Sequence, residues 1–162
     1  MDKMDKRALL EALRSRLAEE RAAMTRIARD AAAAVTHEDN KPENDKDMRS
    51  TEASYIARGQ AERVREVERS LALLGSIPVR VFAPDDKIAL AALVELVHGT
   101  SKLVCFVLPI AGGQRIRIGG DEVQIVTPTS PLGKALMGLS EGDDAEVSTP
   151  QGTKVYQVAG VR

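Results

Sequence analysis

Aromatic side chains are almost absent: the 162 residues hold two Phe, two Tyr and no Trp. That scarcity argues against a stacking platform for nucleic-acid bases and against a ring-lined pocket for proline. Cysteine is limited to Cys105, which excludes an intramolecular disulfide framework and a multi-thiolate metal site and points to reducing, cytoplasmic surroundings. A charge excess of either sign is also lacking. Twenty-three Lys and Arg against 24 Asp and Glu leave a net charge of −1, so no global basic field is available for nucleic acid or an anionic membrane. No apolar run approaches the roughly 20 residues that span a bilayer. The charged start, Met1-Asp2-Lys3-Met4-Asp5-Lys6, lacks the apolar centre of a signal peptide.

What is present divides in two near Gly75. Apolar residues at 43% and charged residues at 29% are enough for a folded chain. Residues 1–75 carry 15 basic and 15 acidic side chains, and the remaining 87 residues carry 8 and 9. Only Gly59 and Gly75 of the 12 glycines lie in the first part. A charge-rich, glycine-poor stretch predicts helix; a glycine-punctuated, valine-rich stretch predicts sheet. The expected domains are therefore 1–75 and 76–162.

In the first domain, Leu10, Leu13, Leu17, Glu20, Met24, Ile27, Ala31 and Ala34 step alternately by three and four. Ala53, Ala57, Gln60, Val64, Val67, Leu71 and Leu74 do the same. A period of about 3.5 residues places one narrow apolar stripe on each helix, the seam of a coiled coil. A short polar connection forces the second helix back antiparallel, giving a long helical hairpin. Asn40 suits the cap of the second helix, with Pro42 and Glu43 in its first turn. Residues 38–47 hold Glu38, Asp39, Glu43, Asp45 and Asp47 against Lys41 and Lys46. Such an acidic tip lies far from any core, so its composition is free to serve something other than folding.

Beyond Gly75 the period changes to two. Pro78–Phe82 predicts a short strand, and Ile88, Leu90, Ala92, Val94 and Leu96 predict a longer one ending in the turn His98-Gly99-Thr100-Ser101. Leu103–Leu108 suits a buried strand. Gly112-Gly113 and Gly119-Gly120 punctuate Arg115–Ile118 and Glu122–Val126. Ser130-Pro131-Leu132-Gly133-Lys134-Ala135-Leu136-Met137-Gly138 predicts a short helix with Ser130 at the N-cap and Pro131 at N1. Ala145–Ser148 and Lys154–Val161 predict a hairpin across Pro150-Gln151-Gly152. The expectation is an α+β protein whose second domain is a small, mostly antiparallel sheet with one short helix.

This combination resembles the bacterial Gre transcript-cleavage factor family. The resemblance rests on Ser130–Gly138, on Glu141-Gly142-Asp143, Ala145-Glu146-Val147 and Pro150-Gln151-Gly152, on Glu43-Asn44, and on Val64, Val67, Glu68 and Leu71. It implies an FKBP-like second domain that docks at the rim of the RNA polymerase secondary channel, with Ser130, Pro131 and Gly133 as docking residues. It also implies a hairpin that enters the channel and brings two tip acids, here Asp39 and Glu43, to the polymerase's own Mg²⁺. Mg²⁺ is a hard cation that prefers oxygen ligands, and a second metal stabilised there can activate water against the backbone of backtracked RNA. The chain itself is then an accessory factor rather than an enzyme, a monomer without a cofactor of its own.

The tip departs from the family pattern G-D-L-x-E-N, whose two acids sit three apart. Counting back from Glu43 gives Asn40, while Asp39 lies four back and Glu38 replaces the glycine. Two alternatives follow: a channel-binding inhibitor that does not stimulate cleavage, and a coiled-coil interaction module unrelated to transcription. Other features carry plainer readings. His37 lacks ligand spacing, Cys105 is a small core residue, and Ser130 has no G-x-S-x-G setting. The glycine pairs lack the strand-to-helix setting of a phosphate loop. Arg14, Arg16, Arg21, Arg26 and Arg29 are interleaved with acids and form a solvated face.

Overall fold

The computed structural model describes residues 4–37 and 43–162, so Asp39, Asn40 and Pro42 lie outside the described residues. Two compact units emerge: Arg14–Gly75, and Met1–Leu13 together with Ser76–Arg162. The sequence-based division at Gly75 keeps residues 1–13 with the hairpin, whereas their contacts group them with the sheet.

Helices α1 (Lys6–His37) and α2 (Glu43–Leu74) are each 32 residues long, roughly 48 Å at 1.5 Å per residue. They form an antiparallel hairpin: Arg14 reaches the position beside Gly75, and Glu20 lies 3.7 Å from Arg63. Glu20, the one polar residue in the α1 stripe, thus meets a cation of α2. The seam is closed at Leu17, Val67 and Leu74, all buried, yet Ile27 is 50% exposed and Ala57 is exposed. Alanine removes little apolar area from water, so a seam position such as Ala57 adds little to the hold between the helices.

In the other unit, α1 starts on a different phase from the one the stripe predicts. Leu9 and Leu13 are buried while Leu10 is only half-buried, because the first turns pack in the sheet unit rather than in the hairpin seam. Lys6 lies on that same face. Its Nζ donates to the carbonyls of Arg80 and Ala91, each at 2.7 Å, and stands 4.8 Å from the centre of the Phe82 ring. Burial, with the neighbouring Arg80 charge, lowers the Lys6 pKa to about 8. The unfolded chain therefore binds more protons than the folded one between about pH 8 and the ordinary lysine value, and stability rises with pH across that window. Urea unfolding at pH 7 and pH 9.5 is expected to show the wild-type midpoint rising relative to that of Lys6→Met. At pH 7 the variant should lose about 1–3 kcal/mol from its two abandoned carbonyls.

Six strands form one mixed sheet: β1 (Leu93–His98), β2 (Ser101–Val107), β3 (Arg115–Ile118), β4 (Asp121–Val126), β5 (Asp144–Thr149) and β6 (Gly152–Val161), ordered β3-β4-β2-β1-β6-β5. Only β2 and β4 pair in parallel, with Val104 opposite Val123 and Val107 opposite Val126. The other neighbours are antiparallel, including the hairpin with Leu93 opposite Phe106 and the one with Thr149 opposite Gly152. The core gathers Phe82, Val94, Leu96, Cys105, Val107 and Leu136. Leu93, Phe106, Val123 and Ile125 are buried as well, as the alternation of a two-sided sheet requires. Burial pushes the Cys105 thiol up to about 12, in keeping with an inert core residue.

Two expected strand segments are not strands. Pro78–Phe82 has no ladder partner, and β1 begins only at Leu93. Ala91 takes a φ of 69°, which turns the chain out of the extended run. Ile88 instead bonds to the segment after the short helix, donating to Leu139 at 2.7 Å and accepting from Gly138 at 3.0 Å.

Candidate functional site

Helix α3 (Pro131–Leu136) follows from a few residues at fixed positions. Ser130 is its N-cap in extended conformation, with φ −69° and ψ 157°. The Ser130 hydroxyl accepts from the Gly133 N–H at 3.1 Å and donates to the Thr127 carbonyl at 2.7 Å. Pro131 at N1 gives up an N–H that the first turn does not use. Gly133 is buried, and a Cβ there would run into the Thr127 carbonyl group, so this close approach admits only glycine. Gly138, with φ 83°, lets the chain leave the helix and bond to Ile88.

The three docking residues expected from the sequence are thus brought together, in different circumstances. Ser130 and Gly133 are engaged within the cap, whereas Pro131 is exposed. Pro131 and Leu132 border a groove of about 500 Å³ whose other walls include Thr127, Val147, Thr149 and Pro150. None of the residues lining it is ionisable or aromatic. Such a surface can pack against a partner's apolar side chains and backbone; it offers no acid, base, metal ligand or ring. Val147, Thr149 and Pro150 could not be found from the sequence, because only the return of β6 and β5 to the sheet edge brings them to α3.

At the hairpin, Glu43 is the first residue of α2, where the helix dipole favours a carboxylate. Its intended partner Asp39 lies outside the described residues. Among the described residues, no group of three His, Cys, Asp or Glu side chains is placed to hold a metal ion. No helix among them is long and apolar enough to cross a membrane.

The family described as transcription elongation factor GreA/GreB, C-terminal, matches residues 83–162. Transcription elongation factor GreA of Methylococcus capsulatus is 32% identical over 107 residues, 62% of this chain and 61% of the relative, so the match spans less than two thirds of that protein. Transcription elongation factor GreA of Syntrophus aciditrophicus is 30% identical over 118 residues, 69% of this chain and 70% of the relative. The crystal structure of GreA factor homolog 1 from Thermus thermophilus aligns over 92% of this chain and 94% of its own, at 19% identity and a TM-score of 0.39.

Proposed function

We propose a function from one premise: the chain belongs to the GreA/GreB family of transcription elongation factors. It binds RNA polymerase in the cytoplasm, works through the polymerase's secondary channel and stimulates cleavage of backtracked RNA. The observation that carries this reading is the run of five acids among residues 38–47, which begins just after α1 and continues into the first residues of α2, helices of 32 residues each. Helices of about 48 Å can present such carboxylates to a cation held by another molecule.

Each residue has a role under this reading. Asp39 and Glu43 supply oxygens to the polymerase's Mg²⁺, which is held weakly by one or two carboxylates. Pro131 and the uncharged groove beside it dock on the polymerase, while Ser130 and Gly133 keep α3 in shape for that contact. The hydrolysis belongs to the polymerase, whose metal supplies the activation of water; this chain orders the oxygens around it.

Adding the protein to a backtracked elongation complex with Mg²⁺ is expected to speed release of short 3′ RNA fragments. Binding without cleavage, together with slowed synthesis, would select the inhibitory reading, with which Asn40 in place of an acid three residues before Glu43 is compatible. Absence of binding, with a stable oligomer in sedimentation, would move the hairpin to a role outside transcription.

A further inference from the structure

We infer that residues 78–82 are a docking strand for an extended, acidic and apolar segment of another protein, held in the cleft that Lys6, Arg80 and Arg162 share with Val79 and Val81. The segment Pro78-Val79-Arg80-Val81-Phe82 has the alternation of a strand and yet joins no sheet. The alternation is expressed in the side chains. Arg80 lies over the Phe82 ring at 4.4 Å, and Lys6 lies 4.8 Å from the same ring. Val79 and Val81 are 42% and 87% exposed. Among the described residues, none bonds the backbone N–H of Val79 or Val81. An exposed pair of valines beside unpaired backbone groups is the surface that strand addition uses.

Charge identifies the occupant. The cleft, about 730 Å³, is lined by Lys6, Arg80 and Arg162 against one acid, Asp5. Among the described residues, Arg80 and Arg162 have only long ion pairs, to Asp86 and Glu95, each at 3.9 Å, well beyond a charge-assisted hydrogen bond of roughly 2.8 Å. Both guanidinium groups can therefore still take a carboxylate. A small anion would satisfy the cations but leave the valines in water and the backbone unpaired. A single-stranded nucleic acid would need a stacking surface, and Phe82, only 5% exposed, is already covered by two cations; a duplex, like a small anion, would leave the valines in water. A strand with alternating apolar and acidic residues meets all three requirements. This inference uses neither the hairpin tip nor the α3 groove.

The probe is an acetylated Val-Glu-Val-Asp-Val-Glu peptide titrated into the isotope-labelled full chain, with a Val-Lys-Val-Lys-Val-Lys peptide and inorganic pyrophosphate as controls. The acidic peptide is expected to bind with a Kd below about 1 mM, to slow hydrogen exchange at the Val79 and Val81 amides, and to lose affinity as salt rises. Arg80→Glu, and separately Val81→Pro at its exposed position, should each weaken it at least about tenfold. Amide spectra of both variants report whether the fold is kept. The inference is overturned if the acidic peptide does not bind, if it binds both folded variants as well as wild type, if the lysine peptide binds equally, or if pyrophosphate alone reproduces the amide shifts.

Discussion

Gly133→Ala is expected to destabilise the sheet unit by about 3 kcal/mol, the upper end of overpacking costs. That loss lowers its thermal midpoint by roughly 15 °C. The added methyl would stand against the Thr127 carbonyl group, with the Ser130 hydroxyl also only 3.0 Å away. That carbonyl is no free end of a side chain. It accepts from both the Ser130 N–H at 3.1 Å and the Ser130 hydroxyl at 2.7 Å, so moving it takes the cap apart. Ser130→Ala removes only the hydroxyl and should cost about 1 kcal/mol, with Ser130→Asp recovering much of it. Pro131→Ala, at an exposed position, should change stability by less than about 0.5 kcal/mol and yet weaken polymerase binding. Thermal unfolding of the four variants, set beside polymerase binding, separates residues that build the α3 surface from one that, under the proposed function, contacts the polymerase. Equal loss of binding in a stable Pro131→Ala and in Ser130→Ala would support docking through the whole motif; unchanged binding in Pro131→Ala would remove that residue from the docking surface.

Asp39→Ala combined with Glu43→Ala is expected to return RNA cleavage to the polymerase's own rate while leaving polymerase binding and the unfolding of the sheet unit unchanged. The effect is electrostatic. Alanine leaves nothing to replace the oxygen ligands that a hard cation demands. These substitutions also lie outside the compact unit that contains the sheet. Asp39→Asn and Glu43→Gln, made singly, keep the shape and remove the charge. Glu43 opens α2 and stands next to Asn44 in the family-like pair, so Glu43→Gln should have the larger effect. A double variant that still stimulates cleavage would take the chemistry away from these two acids.

The parts of this molecule that could be read from the residues are those governed by neighbours in sequence. Heptad spacing fixed two helices, and the cap at Ser130, with Pro131 after it and Gly138 beyond, placed α3 to within a residue. Turn residues located both the hairpin between β1 and β2 and the one between β5 and β6. The failures share a cause. Pro78–Phe82 and Ile88–Ala92 have strand alternation, but a strand also needs a neighbour to bond, and that neighbour is set by sheet order. Leu10 belongs to the heptad stripe, yet Leu9 is the buried residue, because the first turns of α1 serve the sheet unit.

By itself, then, the sequence determined the helical hairpin and the α3 motif, since periodicity and capping act over a few residues. Only the tertiary structure decided that β2 and β4 pair in parallel, that Val147 and Pro150 join Pro131 at one groove, and that Lys6 is held between two carbonyls contributed by residues 80 and 91. Those arrangements depend on which distant surfaces remove most apolar area from water and satisfy most backbone groups at once. That condition is met by the whole chain and by no segment of it.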